Sequence, residues 1–332
     1  MDNVMEKAIG LDLGTSRIVV ARRGAEGFTY GTELNAFLPL PYSKLTRSAL
    51  EKENVPHNVD GARLMIYGNE SERFANMFHM ETRRPMTKGV LNPDEPEAIA
   101  VMQQIVERLI PESERAGTRL CFSLPGAPLG APNDLTYHEK TLRQVLGNMG
   151  FQVAVVNEGL AVVLAELEDT NFTGIGISCG GGMCNVSLSY LSMPVFHFSV
   201  PKGGDFIDSS AASVAGEGAT RVRAMKEEKF HFNGYFADKV NQALTVYYED
   251  MIQAVIAGLK NVLSETRNVP RLDRAIPIVI AGGSACPKGF RERFEKLLAG
   301  TSLPLEISEI RMSRDPLNAT AKGALVSALA EV

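Results

Sequence analysis

Three short glycine-containing runs, each closing an apolar segment, hold the residues with the most specific chemistry. In LDLGTSRI, Gly14, Thr15 and Ser16 follow a strand-like run that has Asp12 near its end. Such a turn presents backbone N–H groups and small hydroxyls to phosphate oxygens without steric obstruction. An aspartate beside phosphates suits magnesium, which takes carboxylates, phosphates and its own waters. A plain structural hairpin needs no ligand, so this turn alone leaves both readings open. The second run, SCGGGMCN, has Gly180, Gly181 and Gly182 in succession. Three glycines cost an ordinary hairpin conformational entropy, which points to close approach of a ligand. AGGSACPKG adds Gly282 and Gly283, where a simple strand-to-helix turn is the alternative.

The elements around these runs have a repeating order. KAIGLDLG and SRIVVARR read as a β-hairpin, and GIGISCGGGMCNVSLSYL, continued by VFHFSV, repeats the arrangement later in the chain. TRLCFSLPG, FQVAVVNE and IPIVIAGG read as further strands. Apolar spacing predicts helices over 93–110, in YHEKTLRQVLGNMG and GLAVVLAELE, from about Gly234 to Glu265, and in DPLNATAKGALVSALA. SERFANMF reads as a short helix, and the proline-bearing stretch from Gly31 to Gly68 as a mostly loop-like insertion. Together these imply two α/β domains with ligand loops facing each other.

The bulk numbers exclude several classes. With 332 residues, 45% hydrophobic and 22% charged, the chain can bury a large core and suggests two domains. A net charge of -5 argues against non-specific nucleic-acid binding, which rests on basic surface. No run reaches the ~20 apolar residues that span a bilayer. The first residues lack a signal-peptide pattern and are too short and acidic for a membrane anchor. Met77-Phe78 is the one modest membrane candidate, and a buried helix face is the preferred reading. Cys121, Cys179, Cys184 and Cys286 form no CxxC pair, so buried reduced thiols in a cytoplasmic protein are expected. The five histidines are scattered, and Phe206 and Tyr235-Phe236 are expected to pack.

The sequence resembles the actin, heat-shock chaperone and sugar-kinase superfamily, and within it the bacterial actin-like ATPases of the MreB and MamK type. GLDLGTSRIVV is similar to the first phosphate loop, and SCGGGMCNVSL to the second, usually DxGGGTxD. VVNEGLAVVLAEL resembles the connecting helix, IVIAGGSACPKGF the adenosine loop and DPLNATAKGAL the closing helix. RRPMTKGVL resembles a further MreB stretch, and RVRAMKEE resembles the purine-side helix of actin.

The resemblance implies two actin-like (ribonuclease H-like) α/β domains, with mixed five-stranded sheets flanking a nucleotide cleft. Domain I would span 1–150 plus 312–332, with a small subdomain inserted at about 31–75. Domain II would span 151–311, with a helical subdomain inserted at about 206–265. ATP or ADP would bind with Mg2+. Asp12 would organise the magnesium waters, and Gly14, Thr15, Ser16 and Gly180, Gly181, Gly182 would cradle the phosphates. Glu158 would act as general base on the attacking water. Arg223, Lys226 and Glu227 would border ribose and adenine, with Gly282 and Gly283 against the base; a solvated charged helix face is the alternative for the first three.

The departures shape the expected activity. Ser178 stands where the second loop usually begins with aspartate, Met183 replaces a threonine and Asn185 the closing aspartate. A neutral hydroxyl at Ser178 cannot help hold hydrated magnesium, so a weak ATPase is expected, slowed by on the order of a hundredfold. The implied function is a cytoskeletal protein whose partner is itself in a filament, with an adaptor or cargo of unstated identity and no nucleic acid or membrane contact. A non-polymerising scaffold or adaptor of the same fold is the alternative. Because the chain ends without a peptide-binding domain, and no sugar-site motif is evident, chaperone and kinase readings are disfavoured.

Overall fold

A computed structural model describes residues 8–130, 135–232, 234–266 and 274–330. The expectation about a leader or anchor in the first residues lies outside them. The chain opens with a three-stranded meander, β1 (Ala8–Leu13), β2 (Arg17–Gly24) and β3 (Gly27–Leu34). The next segment folds as β4 (Phe37–Pro41), α1 (Lys44–Lys52), β5 (His57–Asp60), β6 (Arg63–Tyr67) and α2 (Asn69–Phe78). The loop-like reading of Gly31–Gly68 is therefore wrong. Pro39 and Pro41 sit in β4, an edge strand of the β4-β6-β5 sheet, where the lost N–H groups cost no central pairing. Leu38, Leu64, Ile66 and Phe74 give this unit its own core.

The chain continues through β7 (Met86–Thr87), β8 (Val90–Leu91), α3 (Ala98–Leu109), β9 (Arg119–Leu124), α4 (Thr136–Asn148), β10 (Gln152–Asn157) and α5 (Glu158–Glu166). A second meander follows: β11 (Gly174–Cys179), β12 (Cys184–Tyr190) and β13 (Met193–Val200). Then come α6 (Gly204–Ala215), α7 (Ala219–Lys229), α8 (Lys239–Glu265), β14 (Ile276–Ala281), α9 (Phe290–Ala299), β15 (Ile307–Met312) and α10 (Ala319–Ala330). The long helix starts later than its apolar pattern suggested because Asp238 caps it, accepting from Asn241 N at 2.9 Å.

Two mixed five-stranded sheets result, β10-β9-β1-β2-β3 and β13-β12-β11-β14-β15. Each has an antiparallel meander joined through its first strand to two parallel strands, so the repeat visible in the sequence is a repeat of topology. β10 belongs to the first sheet, so the chain leaves that sheet at Asn157, later than the expected division at 150. α8 is no separate helical unit either. Leu244, Tyr248, Met251 and Ile252 share one apolar core with Ile175, Ile177 and Val186 of the second sheet.

Helices α5 and α10 lie against each other and against the sheets. α10 rests on Gly10 of β1, and α5 rests on Gly176 of β11. A Cβ at either glycine would collide with helix backbone, so both positions require its absence. Some surface expectations fail. Met77 and Phe78 are 56% and 45% exposed, because α2 turns Ser71, Phe74 and Ala75 inward instead. Tyr235 is fully exposed, and Cys286 is exposed while the other three cysteines are buried. No helix among the described residues is long and apolar enough to cross a membrane.

Candidate functional site

The two meanders aim their first turns at each other. Gly14 N donates to Arg17 O at 3.0 Å, closing the first turn, and Gly180 N donates to Met183 O at 2.9 Å, closing the second. Thr15 Oγ1 accepts from Gly89 N at 3.0 Å, and Ser16 Oγ accepts from Arg84 Nη1 at 3.2 Å. A side chain at Gly181 would run into Ser16 and one at Gly182 into Thr15, which explains why these two positions are glycine. It is further docked by bonds from Gly204 N to Gly180 O at 3.0 Å, Asp205 N to Gly181 O at 2.8 Å, and Ser284 Oγ to Gly180 O at 2.8 Å.

Between the turns lies a cavity of ≈ 460 Å³, a size that suits a small-molecule ligand. Every residue expected at the site lines it: Asp12, Gly14, Thr15, Ser16, Glu158, Gly180, Gly181, Gly182, Arg223, Lys226, Glu227, Gly282 and Gly283. Within it, Lys226 Nζ is committed to a buried ion pair with Asp208 at 2.8 Å, and Arg223 pairs with Glu227 at 3.1 Å. Burial still holds the Asp208 carboxyl above its ordinary range, although Lys226 pulls the other way. Phe230, Tyr248, Pro316 and Leu317 add apolar wall, and Arg17 and Lys288 add cations.

A pair of carboxylates forms the chemical centre. Asn157 caps α5, accepting from Gly159 N at 3.0 Å, and so fixes Glu158 in the first helical turn. Glu158 Oε2 accepts from Asn185 Nδ2 at 2.8 Å and from Ser178 Oγ at 3.4 Å. Burial, then the nearby Asp12 charge, pushes the Glu158 carboxyl up to about 8. Asp12 Oδ1 accepts from Ser123 Oγ at 2.6 Å, and burial raises its carboxyl to about 6.

The sequence reading gave no role to three contributors. Asn185 is a working part of the site: its Oδ1 accepts from Gly126 N at 2.8 Å while its amide holds Glu158. Ser123 comes from a strand with no motif pointing to it, and Arg84 lies in the RRPMTKGVL stretch, whose resemblance gave it no role. Arg84 also reaches Asp205 Oδ1 at 2.9 Å, bridging the first turn to the start of α6. The register could have exposed Asn185, since it pairs directly with Ser178 across the β11–β12 hairpin.

Solved structures share the fold. MamK in a double helical filament matches with a TM-score of 0.72 at 18% identity, covering 98% of each chain. MreB5 of Spiroplasma citri bound to ADP matches at 0.66 and 16% identity, covering 96% of this chain and 95% of that one. Ethanolamine utilization protein EutJ from Carboxydothermus hydrogenoformans matches at 0.56 and 17% identity, over 96% and 89%. The fold is thus the actin-like one. The sequence finds no match among curated proteins. It does match the volactin family over residues 7–328, nearly its whole length, and the chain belongs to that family.

Proposed function

We propose that this chain binds ATP or ADP with magnesium in the cavity between its two sheets, hydrolyses ATP slowly, and assembles with itself into cytoplasmic filaments. The observation that supports this most is the convergence of two glycine turns, a third glycine loop and a carboxylate pair on one cavity. Relatives of the same fold were captured as a filament and with ADP.

The donor set fits magnesium. Among the described residues no cluster of three side-chain ligands forms, which suits an ion held mainly by phosphates and water beside one carboxylate, Asp12. Two carboxyls raised by burial, Glu158 further by the Asp12 charge, mark a site that favours added positive charge. When bound, magnesium would offset the phosphate charges during phosphoryl transfer.

The chain's own residues then divide the remaining work. Backbone N–H groups of both turns, with the Thr15 and Ser16 hydroxyls, bind and orient phosphate oxygens. Asn185 and Ser178 hold Glu158 through Oε2, leaving Oε1 to take a proton from the attacking water. In the ligand-free site burial and the Asp12 charge favour the protonated Glu158 carboxyl. Ser178 adds no charge to hold the water, and this slows hydrolysis.

The test is sedimentation with ATP–magnesium, with ADP and without nucleotide, alongside electron microscopy and phosphate release. Nucleotide-dependent pelleting with filaments and slow release are expected. Protein that stays soluble throughout would shift the reading to a scaffold or adaptor. Turnover as fast as that of an ordinary bacterial actin would remove the role given to Ser178.

A further inference from the structure

The second glycine turn has a chemical feature absent from the first: Cys179 ends β11 and Cys184 begins β12, bracketing the glycines. The two are directly opposed in the antiparallel register. Gly180 N bonds to Met183 O at the next rung, so the cysteines occupy the narrow pair, where Cα atoms stand about 4.5 Å apart. Disulfides span Cα separations of about 4.4–6.8 Å, so a bond fits this register. Opposed Cβ atoms in a sheet stand about 4.5–5.5 Å apart. A disulfide draws them to about 3.8 Å. Closing the bond therefore pinches the hairpin at the root of Gly180–Gly182. A cross-link that must draw its strands together is more easily reduced than a relaxed one.

We propose that Cys179 and Cys184 form a reversible disulfide that controls the nucleotide affinity of the second turn, with a small organic disulfide as oxidant and Cys286 as the entry thiol. The proposal rests on the nucleotide-binding reading. Access requires an entry thiol because Cys179 and Cys184 are only 1% and 0% exposed. Cys286 is exposed and lines the cavity. Its Sγ lies 3.7 Å from Gly282 O, and Gly282 is packed directly on the Cys179 backbone.

The exchange balances in three steps. Cys286 attacks the small disulfide RSSR, forming a mixed disulfide and releasing one RSH. Cys179 attacks the Cys286 sulfur, releasing the second RSH and leaving a Cys179–Cys286 bond. Cys184 then attacks the Cys179 sulfur and returns Cys286 as a thiol. The net result is that two protein thiols lose two electrons and two protons, and one RSSR becomes two RSH. The neighbouring Cys179 thiol and burial push the Cys184 thiol well above its ordinary range, which keeps the pair reduced until an oxidant is delivered beside it. Gly180 O and Gly181 O are anchored to Gly204, Ser284 and Asp205, so the pinch acts on every contact that docks this turn.

The test incubates the folded full chain with glutathione disulfide, quenches with acid, alkylates under denaturing conditions and maps the thiols by mass. The peptide carrying both cysteines should emerge unalkylated and two hydrogens lighter, and dithiothreitol should reverse this. Cys286→Ser should slow the linkage about tenfold or more, and Cys184→Ser should abolish it. Affinity for a fluorescent ATP analogue should fall about tenfold or more on linkage and recover on reduction. Both thiols remaining alkylatable, or linked protein binding the analogue as tightly as reduced protein, would overturn the proposal. Reduced protein without affinity for the analogue would instead overturn the nucleotide reading, while the thiol map still decides whether the bond forms.

Discussion

The β1–β2 and β11–β12 hairpins share their topology, their facing turns and a glycine at the equivalent inward position, yet they differ in charge. Two residues before its turn, the first hairpin carries Asp12, opposite Val19. The second carries Ser178 at the same offset, opposite Asn185. The first therefore supplies a carboxylate, and the second supplies two neutral donors that grip Glu158. The lesson is that the proposed phosphate cradle depends on backbone geometry, which both hairpins keep. The charge that drives chemistry sits on single side chains, which can be lost without disturbing the cradle.

The sharpest way to break this comparison is Glu158→Gln, which removes the acid that the second hairpin holds. Phosphate release should fall about a hundredfold or more, since it deletes the proposed general base. The same variant tests the pH behaviour of the ligand-free protein. Asp12 and Glu158 are both raised in the fold, from 3.8 to about 6 and from 4.5 to about 8. Stability should therefore be full below pH 4 as far as these groups are concerned, and should decline as pH rises through about 6 to 8. Thermal melts from pH 5 to 9 should show that decline in the wild type, and Glu158→Gln should flatten most of it, a difference of order a few kcal/mol at pH 9.

Asp12→Asn removes the charge of the first hairpin while keeping its shape. ATP turnover should drop roughly a hundredfold, with a smaller loss in nucleotide affinity measured by titration. Equal losses in both would mean that the cradle itself depends on Asp12. Asn185→Ala should cost about 1–3 kcal/mol in denaturant unfolding, because it leaves the buried Gly126 N–H without its partner. The smallest expected effect is a gain. Ser178→Asp makes the second hairpin match the first in charge, and phosphate release with magnesium should rise about tenfold. An unchanged rate would show that Ser178 is not what limits hydrolysis.

The glycine turns of the cavity were legible in the sequence because each is local, whereas Glu158, Arg223, Lys226 and Glu227 came only from the family resemblance. Each glycine run closes a strand, and hydrophobic periodicity locates strands well, so residues such as Gly180 and Gly282 could be assigned to loops directly. What eluded the sequence depends on pairing between distant segments. Ser123 meets Asp12 through the parallel β1–β9 pairing, and Arg84 reaches Ser16 and Asp205 from a separate loop. The stretch Gly31–Gly68 was misread because prolines suggest loops, whereas an edge strand accommodates them without losing a central pairing. The start of α8 was misplaced because apolar spacing extends past the point where Asp238 captures a free N–H.

The packing of α10 on Gly10 and of α5 on Gly176 has a consequence for the history of such a site. Each sheet receives one helix on one glycine of its first strand, so the two halves repeat one packing arrangement as well as one topology. Two identical half-length chains paired about a two-fold axis would be bound by symmetry, and any change in one turn would appear in both. Joining the halves into one polypeptide lifts that constraint. One turn can then keep an aspartate and hydroxyls while the other trades charge for cysteines, and a ligand with two unlike ends meets two unlike walls.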